Sequence, residues 1–370
     1  MNLKIIVNVL GLSIVLLFSC CTISCSQSKS DDVKPIIPPK YESTNPISDL
    51  VLIYDGGGQR LPWTTTRIRP YVYRENNGKT EWLFDGYLFL EIFDSVTDYE
   101  YYPGFNRKEA GKEQWQSLID TYFSSQRSFD ALETVLEERA QKGNVPDRKR
   151  KVVVSIPTPI NGFTEWGSID GKALDFNNVN DQVRAEQWFI DEVLKRWQEK
   201  NYKHLALAGF YWVDENSNNY TNAIALTKNY LASKGFKLHW IPYWNAIGGD
   251  KWNTLGFDYA YLQPNYFFTL SIPYQRLPDA CNFASIHNMG LEMEFDGRVT
   301  QSSYRERFYS YIQAFSNSKV WDLKPVAYYE GGGAWYTMAT SSDVELQKMY
   351  KKLADIIVDR QKRADERSKK

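Results

Sequence analysis

Eight short apolar runs recur along this chain with helix-length stretches between them, and that alternation limits the possible folds more than any other feature. The first, from Asp49 to Tyr54, is stopped by Asp55-Gly56-Gly57-Gly58, the profile of a strand buried on both faces. The others span 86–93, 152–156, 205–213, 237–242, 259–263, 290–295 and 325–329. Between them Trp115, Leu118, Ile119 and Tyr122 keep a helical period, as do Phe129, Leu132, Val135 and Leu136, and again Phe189, Ile190, Val193, Leu194 and Trp197. The stretches 220–233, 304–315 and 344–358 behave likewise. Strands separated by helical crossovers pair in parallel, and eight such units close a (β/α)8 TIM barrel, an α/β fold. The barrel is expected over residues 48–360, followed by a charged C-terminal tail at 361–370. One unit departs from this pattern. Tyr71-Val72-Tyr73 and Trp82-Leu83-Phe84 flank a turn at Asn77-Gly78, which predicts a β-hairpin replacing the first crossover helix, placed either as a wall of the cleft or as a plug at the base or side.

The N-terminus reads as a targeting segment. Lys4 precedes a nearly unbroken apolar stretch from Ile5 to Phe18, the length of a secretory signal core. Ser19-Cys20 and Ser24-Cys25 follow, and both resemble a bacterial lipobox. The expected arrangement is a signal over residues 1–25, cleavage and acylation at Cys20 or Cys25, and a flexible tether over 26–47, rich in Ser, Asp, Lys and Pro. Such a protein is a membrane-anchored lipoprotein of the bacterial cell envelope, periplasmic or surface-exposed. Beyond this segment Cys281 stands alone, so the fold must rest on packing, and Cys281 itself is expected in the core.

Charge and motif content remove several function classes. With 44 Lys and Arg against 45 Asp and Glu and no basic tract, the chain lacks the field of a nucleic-acid binder. His204, His239 and His287 are scattered, so no metal site is expected on them. Gly56 to Gly58 and Gly331 to Gly333 lack a following Lys-Ser or Lys-Thr, and no Gly-x-Ser-x-Gly elbow occurs. No cofactor is expected, and the chain is read as a monomer.

In a barrel the chemistry lies where strands end and βα loops begin, at the C-terminal face. Those positions hold Asp55 after strand one; Trp212, Asp214 and Glu215 at strand four; Tyr243, Trp244 and Asn245 at strand five; and Gln263, Asn265 and Tyr266 at strand six. Glu292, Glu294 and Asp296 lie on strand seven, Glu330 ends strand eight, and Trp335 follows it. Carboxylates interleaved with Trp and Tyr suit a carbohydrate cleft, because rings stack on the apolar faces of sugars while acids and amides bind hydroxyls. Aromatic residues make up 15% of the chain, enough to line a cleft beyond the needs of a core. Alternation places Glu292, Glu294 and Asp296 on one face of strand seven, and a charged face cannot pack on helices, so they should point into the barrel. The same counting groups Tyr211, Val213 and Glu215.

Glu215 after strand four and Glu294 on strand seven resemble the placement of acid and nucleophile in a large clan of (β/α)8 glycoside hydrolases. That clan usually carries Asn directly before the strand-four acid, where this chain has Asp214. The resemblance implies a two-carboxylate glycoside hydrolase acting on a polysaccharide or oligosaccharide, with retention, Glu215 as general acid and Glu294 as nucleophile or base. The Phe-Tyr-Trp-Val-x-Glu and Glu-x-Glu-Phe-Asp strand ends are also similar to those of an uncharacterised family of bacterial lipoproteins. The alternative is a non-catalytic glycan-binding lipoprotein on the same scaffold.

Overall fold

A computed structural model describes residues 45–217 and 220–369. The signal segment, most of the tether, and Cys20 and Cys25 lie outside the described residues. Eight strands form one closed barrel: β1 (Asp49–Tyr54), β2 (Gly86–Leu90), β3 (Arg150–Ile156), β4 (Leu205–Trp212), β5 (Lys237–Trp240), β6 (Tyr259–Leu262), β7 (Gly290–Glu294) and β8 (Val326–Tyr329). Each pairs in parallel with its sequence neighbours, and β8 closes on β1 through Asp49↔Val326 and Val51↔Tyr328. Closure leaves no free edge, so the apolar runs can be buried on both faces without inviting further pairing.

Two layers of core follow from the pleat. One set of side chains, including Val51, Phe89, Val154, Phe210, Trp240, Leu291 and Tyr328, packs outward under the helices. The alternate set, including Leu50, Leu52, Leu88, Leu90, Val153, Tyr211, Ile241 and Tyr261, fills the barrel. In β4 the register shifts between Leu207 and Gly209. Leu205 and Leu207 belong to the outer layer, whereas Tyr211 and Val213, an even number of residues further on, belong to the inner one. The bulge therefore resets the phase and carries Glu215 inward. Gly209 is required there, since a Cβ would lie 2.2 Å from the carbonyl oxygen of Lys237.

The base of the barrel is locked by a buried ion pair. Arg360, on the last helix (Val344–Ser368), meets Asp49 at 2.6 Å, and Gln361 and the Tyr328 hydroxyl complete the carboxylate's partners. This helix corrects the expected tail at 361–370, because it continues to Ser368 and buries Gln361 and Ala364. The segment's one apolar residue, Ala364, is too little for a periodic signal.

The first crossover also differs from expectation. The hairpin exists, pairing 73–76 with 79–82, but a helix, Thr65–Val72, precedes it, so the hairpin adds to that helix instead of replacing it. Pro70 inside the helix masked the Ile68, Tyr71, Val72 spacing. The hairpin lies at the barrel's base and side, where Arg74 reaches Asp355 of the last helix and Trp82 lies under Arg150 at the start of β3. It does not wall the cleft.

Candidate active site

At the C-terminal end of the barrel the inner layer gives way to a cavity of about 350 Å³, within the ~300–1,000 Å³ typical of small-molecule sites. Glu215, Glu292, Glu294 and Gln263 face it, among aromatic walls formed by Tyr54, Tyr102, Phe105, Tyr211, Phe268 and Tyr329. β4 and β7 are separated in the ring by β5 and β6, so their carboxyls enter from different sides.

The three acids have unequal surroundings. Glu294 is fully buried and accepts from the Tyr311 hydroxyl, from the backbone N–H of Tyr266 at 3.3 Å and from Asn265 Nδ2 at 3.3 Å. Burial pushes it up to about 7, and the Tyr311 and Tyr266 donors oppose that rise by favouring the ionised form. Glu215 is also raised to about 7 by burial, opposed by one hydrogen bond from Gln263 and reinforced by the neighbouring Asp214 charge. Glu292 is 1% exposed, and burial, then Glu294 and Glu215, drive it well above the ordinary carboxylate range. Among the described residues its Oε1 has no hydrogen-bond partner.

The loop after β6 supplies this support and is itself held by arginines. Arg307, on helix Ser302–Asn317, donates to the carbonyls of Tyr266, Thr269, Leu270 and Ile272. Arg276 donates to Pro264 O and Arg298 to Phe268 O. Asn265 adopts a left-handed conformation (φ 49°), its Oδ1 accepting from Trp244 N at 2.8 Å and its Nδ2 reaching both Glu294 and Gln263.

Several expected site residues lie elsewhere. Trp212 faces the helices, against Tyr220, because its parity in β4 is opposite to that of Glu215. Trp335 is fully buried beside Phe84 and Tyr350 and donates to Pro70 O, so it is core. Tyr266 is 5% exposed, between Tyr311 and Arg307; its backbone, not its ring, serves the site. Trp244 is half-buried against Phe283 and Arg276, outside the cavity lining. Tyr243, Asn245, Asp214, Asp55, Asp296 and Glu330 do not line it either. Asp214 is the acceptor for Asn216 N, and burial raises it to about 6. Asp55 anchors Ser128, and Asp296 caps the short helix Gly297–Thr300 while pairing with Arg298. Glu330 accepts from the N–H groups of Gly333 and Trp335, tying down the turn after β8.

The walls were missed although some had a signal. Tyr54, Tyr211 and Tyr329 have the inward parity that alternation assigns along β1, β4 and β8. Tyr102 and Phe105 come from the loop after β2, a small sheet of 93–94, 99–100 and 108–109 in which Glu100 accepts from Phe105 N and Arg107 N. The aromatic cluster from Tyr99 to Phe105 was its only trace in the sequence. The loop 157–178 after β3 lies outside the cavity lining; it buries Trp166 against Trp115 and Trp188 and leaves Glu165 exposed.

Residues 49–355 match the model of a family described as "Domain of unknown function (DUF4855)". No curated protein matches the chain. Among solved structures, it is similar to a candidate alpha-L-fucosidase from Bacteroides thetaiotaomicron VPI-5482, with 14% identity, 90% of this chain and 99% of that one covered, and a TM-score of 0.46. An intracellular xylanase from Thermoanaerobacterium saccharolyticum gives 10% identity, 76% and 85% coverage and a TM-score of 0.37. A chitinase from Ipomoea carnea gives 11% identity, 84% and 99% coverage and a TM-score of 0.37.

Proposed function

As the chain belongs to the DUF4855 family, whose description assigns no activity, we propose its function from the cavity: a glycoside hydrolase acting on an oligosaccharide or polysaccharide. The observation that carries this reading is that carboxyls from β4 and β7 enter one aromatic-walled cavity at the C-terminal end of the barrel with different hydrogen-bond support. Glycosidic cleavage needs one carboxyl that gives a proton and one that bears negative charge. Both carboxyls are raised to about 7, but Glu294 has three donors to its ionised form and Glu215 has Gln263, so the negative charge is assigned to Glu294 and the proton to Glu215.

In this reading Glu215 passes its proton to the glycosidic oxygen as that C–O bond breaks. Glu294 attacks the anomeric carbon and forms a glycosyl ester. Glu215, now ionised, takes a proton from water, whose oxygen displaces Glu294 and restores both groups with retention. Tyr54, Tyr102, Phe268 and Tyr329 supply the aromatic surface against which the sugar ring would pack. The same reading puts the enzyme on the bacterial envelope through an acylated Cys20 or Cys25, supported by the sequence of residues 1–25.

The test is release of reducing ends by the purified chain from a panel of polysaccharides. Release from at least one supports the reading. Binding without release across the panel overturns it in favour of a glycan-binding lipoprotein.

A further inference from the structure

The two-carboxyl mechanism leaves Glu292 without a role. It sits at the cavity floor, 1% exposed, with Oε1 unpartnered. A buried polar atom with no partner is costly, and a ligand hydroxyl can relieve that cost. Burial, and after it the carboxyls of Glu294 and Glu215 in the same cavity, favour its neutral form. A neutral carboxyl in this position is an O–H donor as well as an acceptor.

The lining carries no counter-charge for an anion. Among the described residues that line the cavity there is no Lys, Arg or His. None of the arginines of the surrounding loops lines the cavity: Arg60 pairs with both oxygens of Glu91, Arg107 with Asp98 and Arg298 with Asp296, while Arg276 donates to Pro264 O and Arg307 to four carbonyls. A carboxylate or sulfate on the sugar would be stripped of water beside three acids with no cation to receive it.

We propose that Glu292 is a specificity-determining residue: its free Oε1 hydrogen-bonds a hydroxyl of the sugar seated at the cavity floor, and the site takes uncharged sugars and rejects uronic acids. This rests on the reading of the cavity as a sugar site and adds the class of sugar. It does not depend on cleavage.

The test is binding at pH 7 by the full chain of matched oligosaccharides of glucose and glucuronic acid, galactose and galacturonic acid, and mannose and mannuronic acid, followed by calorimetry or ligand-observed NMR. The neutral member of the recognised pair should bind at least about tenfold more tightly than its acid, the order of one buried hydrogen bond or more. Glu292→Leu should lose about tenfold for the neutral sugar, and Glu292→Gln, which keeps a neutral hydrogen-bonding group, should recover most of it. Equal or tighter binding of a uronic acid overturns the proposal, as does unchanged affinity in a folded Glu292→Leu variant. If that variant does not fold, the wild-type comparison alone decides. Binding of neither series sinks this inference together with the sugar-site reading. Selective binding without cleavage keeps the inference and overturns only the hydrolase.

Discussion

Replacing Tyr311 by Phe should move the pH dependence of catalysis without disturbing the fold. Tyr311 is fully buried, and its ring packs edge-on against Tyr266 and Phe315, contacts that Phe preserves. Its hydroxyl donates to Glu294 Oε2, while the other two donors stand at 3.3 Å, so Tyr311 carries much of the support for the ionised form. A hydrogen bond to a charged group contributes about 1.5–3 kcal/mol, and one pKa unit corresponds to about 1.4 kcal/mol. A bond to the anion lowers a carboxyl's pKa, so its removal should raise Glu294 by about one to two units above its present value of about 7. In the proposed mechanism Glu294 acts as the anion, and therefore the acid limb of kcat/KM should shift upward by that amount. Activity at pH 6 should fall roughly ten- to a hundredfold. Thermal stability at pH 5, where Glu294 is protonated in either chain, should change little. The assay is a kcat/KM profile from pH 5 to 9 on the polysaccharide the wild-type chain cleaves. An unmoved acid limb, or a drop in rate that is uniform across pH, would refute the assignment of Glu294 as the working anion.

Stability should fall as pH rises. Burial holds Glu186, bonded only to Thr227, at about 8 against 4.5 for the unfolded chain, so its contribution is complete below about pH 4.5 and is lost between there and pH 8. Urea unfolding should show Glu186→Gln removing up to about 4 kcal/mol of that decline, each unit being about 1.4 kcal/mol. Trp335→Ala should cost about 3–5 kcal/mol in the same assay and leave the glycan affinity of the folded fraction unchanged. Phe105→Ala, at the half-open rim, should do the reverse, weakening glycan binding by about 1–3 kcal/mol in calorimetry with little change in melting temperature. Radiolabelled fatty acid should be incorporated in cells and should be lost when Cys20 and Cys25 are both changed to Ser; persistence of the label would contradict the anchor.

The barrel was legible because parallel strands are buried on both faces and so read as uninterrupted apolar runs. Alternation also found the inward face of β7, where Leu291, Met293 and Phe295 lie in the outer layer and Glu292 and Glu294 line the cavity. Asp296 broke the same pattern because the strand had ended and its side chain was needed as a cap. The bulge at Ala208 had one trace, the isolated Gly209 inside an apolar run, which marks a bulge without giving the register on either side of it. Trp212 and Trp335 were misread for a different reason: nearness to a strand end fixes height in a barrel, not direction. The walls from Tyr102 and Phe105 depended on a loop whose shape comes from backbone bonds to Glu100, which no periodicity announces.

The central claim, that Glu294 supplies the negative charge for glycosidic cleavage, is tested most directly by the turnover of Glu294→Gln on the substrate of the wild-type chain, measured beside its binding of that substrate. Removing a catalytic nucleophile or base should lower kcat by orders of magnitude, while melting temperature and glycan affinity stay close to wild type. A Glu294→Gln chain that folds, binds and cleaves at the wild-type rate would contradict it.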